Sequence, residues 1–144
     1  MAADKRVALI RRWFEEVWNQ SRFEVLDEIT TPDITYLSML RAPVEGLESL
    51  KLYTSVTRLA YPDLQVTIYS IELQADRAVV SLSIDGLTSS PSGGLLTGSQ
   101  ELHARFLATF WFREGKIAQV RMQPEGEIPL RGPVAQSPPS LLMC

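Results

Sequence analysis

The stretch from Glu101 to Glu125 constrains the fold most strongly. It alternates apolar and polar residues on both sides of an Arg-Glu-Gly-Lys turn, which predicts two long antiparallel strands joined by a tight hairpin. Alternation also sorts these strands into two faces. The apolar face, which we expect to point at the helices and at any pocket, holds Leu102, Ala104, Phe106, Ala108, Phe110, Phe112, Val120 and Met122.

The first part of the chain has a helical period instead. Lys5 to Asn19 carries apolar residues at intervals of three and four, which predicts a helix. A short second helix is predicted over Phe23 to Ile29, and a third from Gly46 to about Ala60. The apolar stripe of the third helix is predicted to consist of Leu47, Leu50, Val56 and Leu59.

Further strands are predicted around the third helix. They cover Ile34 to Leu40, Gln65 to Leu73, and Ala78 to Asp85. Arg41 to Glu45, which contains a proline, is predicted to be a loop. Gly86 to Ser99 is rich in Ser and Gly, which predicts a long loop that either covers a pocket or simply connects two strands.

Helices segregated to one side of an antiparallel sheet define an α+β fold. We therefore expect a cone-shaped curved antiparallel sheet wrapped around three N-terminal helices, an α+β barrel whose open end is a natural apolar pocket. Because a chain of 144 residues rarely contains two cores, residues 1–130 are predicted to be one domain. The Pro-rich and Ser-rich segment 131–144 is predicted to be a flexible C-terminal tail.

Composition argues against several classes of protein. The net charge of −3 and the scattered Lys and Arg residues argue against a nucleic-acid-binding surface. One histidine and one terminal cysteine do not supply a usual zinc shell or an internal disulfide, so we expect no metal. Since no apolar run approaches the length of a membrane span or a signal peptide, we expect no membrane contact and a cytoplasmic location.

Five phrases of the chain carry a family resemblance: RRWFEEVWNQ, FEVLDEITTPD, AYPDLQVTI, LTGS and FWFREGKI. In this order and spacing they resemble the SnoaL-like polyketide cyclases of the nuclear transport factor 2-like superfamily, relatives of ketosteroid isomerase and limonene epoxide hydrolase. The resemblance covers roughly Lys5 to Glu125. It implies a cone-shaped α+β barrel, dimeric or tetrameric through its sheet, that acts on hydrophobic small molecules without a metal or organic cofactor.

The same resemblance implies catalytic residues that this chain does not have. The acid/base Asp of the aldol-type cyclases falls at Met122, and the assisting His falls at Ala108. The Asp of limonene epoxide hydrolases also falls at Met122, and the Asp base of ketosteroid isomerases falls at Ser38. Since Met and Ala cannot accept a proton, the usual acid/base pair is missing.

Three residues remain as catalytic candidates: Tyr36, Glu125 and His103. Tyr36 is predicted to point inward, where a buried hydroxyl can polarise a substrate oxygen. Glu125 follows a proline, so it either closes the pocket mouth as an acid or is solvated. His103 is the only histidine and titrates near neutral pH, but alternation places it on the outer face of the sheet, where a partner subunit would bind.

The predicted pocket wall is apolar and aromatic, which suits a substrate with a ring system. The predicted substrate-binding residues are Phe14, Trp18, Ser38, Tyr53, Leu82, Phe106, Ala108, Phe110 and Met122. The alternative is that these side chains simply fill the core.

Two functions follow from these patterns. The first is a cofactor-independent cyclase or isomerase of secondary metabolism, which closes a ring in a polyketide-like or terpenoid-like substrate by positioning and hydrogen bonding. The second is a non-catalytic binding protein for an apolar ligand, or an oligomerising interaction domain. In either case we expect a homodimer through the sheet.

Overall fold

The computed structural model of the protein describes residues 2–38, 41–87 and 101–125. The helical segments are α1 (Ala2–Arg11), a π-helix (Arg12–Trp18), a single 3-10 turn (Phe23–Val25) that runs into α2 (Leu26–Ile29), and α3 (Leu47–Ala60). The strands are β1 (Thr30–Ser38), β2 (Arg41–Glu45), β3 (Gln65–Leu73), β4 (Arg77–Leu87), β5 (Glu101–Arg113) and β6 (Lys116–Pro124). No helix within these ranges is long and apolar enough to span a membrane.

The predicted first helix has two geometries. Its first part is α-helical, whereas Arg12–Trp18 is a π-helix. The backbone N–H of Asn19 donates to the carbonyl oxygen of Phe14 at 2.9 Å, a bond across five residues that is typical of the π form. Such turns are rare and are often found at functional sites.

The six strands form one curved sheet in the order β2-β1-β6-β5-β4-β3. The predicted α+β cone is therefore confirmed, with two differences in detail. The sheet is mixed, because β1 runs parallel to β6. Over the described residues it is not a closed barrel, because β2 and β3 are its two edges. Because β1 and β6 are far apart in the chain and parallel, no hairpin turn joins them, and the sequence shows no local signal for their pairing.

The segment predicted as a loop before α3 is an edge strand. β2 pairs antiparallel with β1 through Thr35 with Glu45 and Tyr36 with Val44. Pro43 does not prevent this pairing, because an edge strand has one side without ladder hydrogen bonds. β4 likewise extends through Leu87, past the predicted start of the loop at Gly86. The rest of that predicted loop and the predicted tail 131–144 lie outside the described residues.

The core lies between the helices and the concave face of the sheet. The predicted alternation of β4 and β5 is confirmed, and a register shift between Trp111 and Phe112 leaves Phe112 only partly buried. Buried sheet residues are Val80, Leu82, Ile84, Ala104, Phe106, Ala108, Phe110, Val120 and Met122. They pack against buried helix residues that include Ile10, Trp13, Phe14, Val17, Leu26 and Ile29.

The buried face of α3 differs from the predicted stripe. Leu50 is buried as predicted, but Val56 is 49% exposed and Leu59 is 76% exposed. Tyr53, Thr54 and Thr57 take the inward positions. The threonines tolerate burial because their hydroxyls donate to the helix's own carbonyl oxygens at 2.8–3.1 Å.

The hairpin turn between β5 and β6 is confirmed at Glu114 and Gly115. Both residues have positive φ, 55° and 78°, as a two-residue type I′ turn requires. The tight turn holds the register that places Ala108 opposite Met122.

Candidate functional site

A small cavity lies between the helical layer and the sheet. It is lined by Trp13, Phe14, Trp18, Tyr36, Leu64, Val66, Ile84 and Met122. Its volume is about 10 Å³, which is room for about one water molecule. A larger ligand therefore enters only if lining side chains or a whole wall move.

Ser38, Ala108 and Met122, the three positions for which the family resemblance implies catalytic residues, meet beside this cavity. Met122 on β6 is paired with Ser38 on β1 and with Ala108 on β5. Met122 and Ala108 are buried, at 3% and 0% exposure, and Ser38 is half-buried. The two positions for which the resemblance implies the acid/base pair therefore lie side by side, and in this chain they are Met122 and Ala108.

Tyr36 supplies the only hydroxyl among the described residues that line this cavity. Its side chain is 2% exposed, and its ring lies 6.3 Å from the Trp13 ring in a stacked arrangement. The Tyr53 ring lies 5.3 Å from Tyr36 and 6.2 Å from Trp18. The hydroxyl thus belongs to a buried cluster of aromatic rings, a setting in which one hydrogen-bond donor has a strong electrostatic effect.

Ser38 is half-buried and does not line the cavity, and the other predicted substrate-binding residues divide into two groups. Phe14, Trp18 and Met122 line the cavity, and Tyr53 packs behind Tyr36. Leu82, Phe106, Ala108 and Phe110 do not line it. Each is at most 1% exposed, so these four side chains fill the core in this structure.

His103 and Glu125 lie on the outer face of the sheet. The Nδ1 atom of His103 contacts the carboxylate of Asp85 on the neighbouring strand, and its side chain is 68% exposed. The Glu125 carboxylate lies 3.5 Å from Nε of Arg105 and accepts a hydrogen bond from Ser81 at 3.4 Å. Of the two alternatives for Glu125, these contacts favour an exposed side chain on the outer face over one that closes the pocket mouth.

The direction of Glu125 follows from strand pairing. Its backbone N–H donates to the carbonyl oxygen of Arg105 at 3.0 Å, so the β5–β6 ladder continues one residue past Pro124. Alternation from the inward-facing Met122 then turns Glu125 outward.

Four lining residues were not among the predicted site residues: Trp13, Leu64, Val66 and Ile84. Leu64 and Val66 are buried on either side of the exposed Gln65, just after the Tyr-Pro-Asp turn that ends α3. This period of two is the sequence signal that could have indicated their inward direction. What the pattern does not show is that the edge strand passes directly beneath Trp18.

Two polar side chains hold the rim of the cavity at Leu64 and Val66. The Asn19 side chain accepts from the Val66 N–H at 2.7 Å and donates to the Val66 carbonyl oxygen at 3.1 Å. Arg58 donates to the carbonyl oxygens of Leu64 and Pro62 and to the hydroxyl of Ser21, at 2.8–3.0 Å. Burial lowers the pKa of the Arg58 guanidinium from its ordinary value, and the charge of Asp63 opposes part of this shift.

The outer face of the sheet carries stacked arginine and aromatic side chains. The Trp111 ring lies 5.7 Å from the Arg77 guanidinium and 5.4 Å from that of Arg121. Arg105 lies 4.2 Å above the Tyr69 ring. An open depression of about 380 Å³ next to Trp111 is lined by Asp33, Thr35, Trp111, Phe112, Arg113, Ala118 and Gln119. Within the described ranges, no group of three His, Cys, Asp or Glu side chains is placed to hold a metal ion.

Comparison with solved structures shows the same fold in proteins of several named activities. A protein named as a SnoaL-like polyketide cyclase, from Jannaschia sp. CCS1, has a TM-score of 0.72 and 22% identity over 83% of this chain and 84% of its own. AclR from Streptomyces galilaeus, named as a hydroxylase, has a TM-score of 0.65 and 21% identity over 87% of this chain and 91% of its own. An LEH-like epoxide hydrolase from M. tuberculosis has a TM-score of 0.69 and 11% identity over 85% of this chain and 84% of its own.

At these identities the structural matches show the fold alone. Among curated proteins, no sequence match was found. The profile of the SnoaL-like polyketide cyclase family, however, matches residues 8–126, which is most of the chain. The protein therefore belongs to the SnoaL-like polyketide cyclase family.

Proposed function

We propose that the protein is a cofactor-independent cyclase or isomerase that acts on a hydrophobic small molecule of polyketide or terpenoid type. One observation carries this proposal: the Tyr36 hydroxyl is buried in the aromatic wall of a cavity beside the family's catalytic positions. Family membership supports the class of substrate. The aromatic lining supports a ligand that is apolar and contains rings.

The chemistry available at this cavity is hydrogen-bond donation rather than proton abstraction. As the C–O bond of a substrate epoxide breaks, or a carbonyl is attacked, negative charge develops on oxygen, and a positioned Tyr36 O–H stabilises it. Because Met122 and Ala108 cannot act as bases, the substrate supplies its own nucleophile. Ring closure by an internal hydroxyl onto an epoxide fits these limits: the new C–O bond forms as an epoxide C–O bond breaks, and the hydroxyl proton passes to the alkoxide that is released, so no protein base is required. Holding the substrate in a folded conformation supplies much of the rate.

The resting cavity is too small for such a substrate, so binding requires a movement. Met122 is the most adaptable lining residue, because an unbranched thioether side chain changes rotamer at little cost. We therefore propose that the substrate displaces Met122 toward Ala108, whose small side chain leaves the least obstruction on β5.

We further propose that the protein forms a homodimer through the outer face of the sheet. Trp, Tyr and Arg are the residue types that dominate binding energy at interfaces, and this face presents Trp111 and Tyr69 with stacked arginines. Tyr69 is 54% exposed in the single chain. Burial against a second copy would remove this aromatic surface from water.

The second candidate function is a non-catalytic carrier for an apolar ligand. It is favoured by Met122 and Ala108, which remove the family's acid/base pair. Native mass spectrometry discriminates between the two. A carrier retains an unchanged hydrophobic molecule from cell extract, whereas an enzyme converts a component of the extract to an isomer or cyclised product.

The Tyr36→Phe variant tests the catalytic proposal. The substrate is the extract component that the wild-type protein converts. We expect the variant to turn it over at least about tenfold more slowly, because one hydrogen-bond donor to the developing charge is lost. Tyr69→Phe is the matched control, since it removes a hydroxyl that bonds Ser83 on the outer face. Equal turnover by Tyr36→Phe and wild type would exclude the catalytic role of Tyr36.

A further inference from the structure

The sheet is open at β3, and this edge forms one wall of the cavity. β3 has a single strand neighbour, β4, in the described sheet. Val66 on β3, and Leu64 just before it, face Trp18 of the π-helix across the cavity. An unpaired strand edge next to a helix is where the two layers of the fold can separate.

The side chain of Asn19 takes the place of a neighbouring strand at this edge. Its amide both accepts from the N–H and donates to the carbonyl oxygen of the same residue, Val66, at 2.7 Å and 3.1 Å. Asn19 therefore satisfies both the backbone N–H and the backbone carbonyl oxygen of one residue on the edge strand. Both hydrogen bonds join the helical layer to the sheet, and they lie at the cavity rim.

Asn19 is also fixed to the opposite wall. It follows Trp18 directly, and its backbone N–H bonds the carbonyl oxygen of Phe14 at 2.9 Å. Trp18 and Phe14 both line the cavity. A movement that separates Asn19 from Val66 therefore separates the aromatic wall from the edge strand. Arg58 holds the adjacent Leu64 in place from α3.

We infer that Asn19 is a positioning residue that sets the opening between the π-helix and β3, and with it the size of ligand that the cavity admits. The inference rests on the proposed function, because it takes this cavity as the ligand site. Closed, the cavity holds about one water molecule, so a ring-containing ligand that enters between these two walls separates them. Each opening breaks both hydrogen bonds of the Asn19 amide.

The test uses tryptophan fluorescence and needs no ligand. The chain has three tryptophans, and Trp111 is on the outer face, so a Trp111→Phe background leaves only the cavity-lining Trp13 and Trp18. In that background we expect Asn19→Ala to raise the rate constant for acrylamide quenching about fivefold, the effect of losing a net hydrogen bond. Asn19→Asp keeps the acceptor for Val66 N–H, and we expect a smaller increase.

Arg6→Met is the matched control. Arg6 also ties the helical layer to the sheet, by donating to the carbonyl oxygen of Gln74 at 2.7 Å, but at the far end of β3. We expect it to lower stability without changing the quenching. If Asn19→Ala and Arg6→Met give the same quenching, Asn19 is only a structural contact and the inference is wrong. If Asn19→Ala does not fold, Asn19→Asp decides the question against the same control.

A second measurement separates this inference from the proposed function. Nile red, a neutral apolar dye, is mixed with each variant by stopped flow, and we expect Asn19→Ala to bind it about fivefold faster than the background. If no variant binds the dye, the ligand site of the proposed function fails, whereas the quenching result still decides whether Asn19 holds the walls together. Dye binding at equal rates by Asn19→Ala and Arg6→Met would overturn the inference alone.

Discussion

Met122 stands where the family resemblance implies a catalytic Asp, and its surroundings do not suit a carboxylate. It is 3% exposed and is flanked by Ala108 and the half-buried Ser38. A carboxylate at this point would need a charged or hydrogen-bonding partner to offset its desolvation. An alanine at position 108 provides none. A carboxylate introduced at position 122 would therefore be buried opposite Ala108 without a partner.

We predict that Met122→Asp is destabilised by about 3 kcal/mol at neutral pH relative to Met122→Leu. Burial raises the pKa of a carboxyl in the folded state above its unfolded value, so the folded form binds the proton more tightly. The deficit should be small near pH 4 and should grow as the pH rises through the raised pKa. Urea denaturation of both variants across this range measures it, and a deficit that does not change with pH would contradict the prediction.

Alternation was sufficient to predict the direction of most single residues. Tyr36 and Met122 face inward and His103 faces outward, as their positions in the strands predict. Glu125 could not be assigned because the sequence does not show that the ladder continues beyond Pro124. Nor does alternation distinguish a residue that lines a cavity from one that fills the core, which is why Phe106 and Phe110 were predicted as ligand contacts.

At the level of elements, α3 shows where sequence periodicity is insufficient. Its inward face includes Thr54 and Thr57, which count as polar in any hydrophobic pattern. Their hydroxyls bond carbonyl oxygens within the helix, so they enter the core without an unsatisfied group. The predicted stripe was displaced toward Val56 and Leu59 because these are the more hydrophobic side chains.

The strands were predicted best where local sequence determines them. β3 has the predicted bounds, and the β5–β6 hairpin has its predicted turn. β2 was missed because a five-residue edge strand with a proline has no clear alternation. The parallel pairing of β1 with β6 depends on two segments far apart in the chain, which no local pattern predicts.

For the whole molecule, the open sheet presents two different surfaces. The concave face is covered by the helices, whereas the convex face presents Trp111 between two arginines and Tyr69 beside one. The sequence indicated the fold class through the change of period after α3 and indicated the family through its phrases. It gave no direct evidence for the stacks of aromatic and arginine side chains across different strands.

We predict that the double variant Trp111→Ala, Arg121→Glu is monomeric at concentrations where the wild type is a dimer. The change removes an aromatic anchor and places a negative charge on the proposed interface. Sedimentation velocity measures the mass of each species. The control is Leu59→Ser, which changes an exposed apolar side chain on α3 and should leave the mass unchanged. A dimer that persists in the double variant would exclude this face as the interface.

The most direct measurement is ligand binding by a protein whose cavity has been filled. Met122→Trp adds volume at the centre of the lining, and near-UV circular dichroism establishes that the variant is folded. In a fluorescence titration with Nile red, we expect its affinity to fall at least about tenfold, because the enlarged side chain occupies the ligand's space. Trp111→Ala, which changes only the outer face, should bind like the wild type. Undiminished affinity in folded Met122→Trp would show that the interior cavity is not the ligand site.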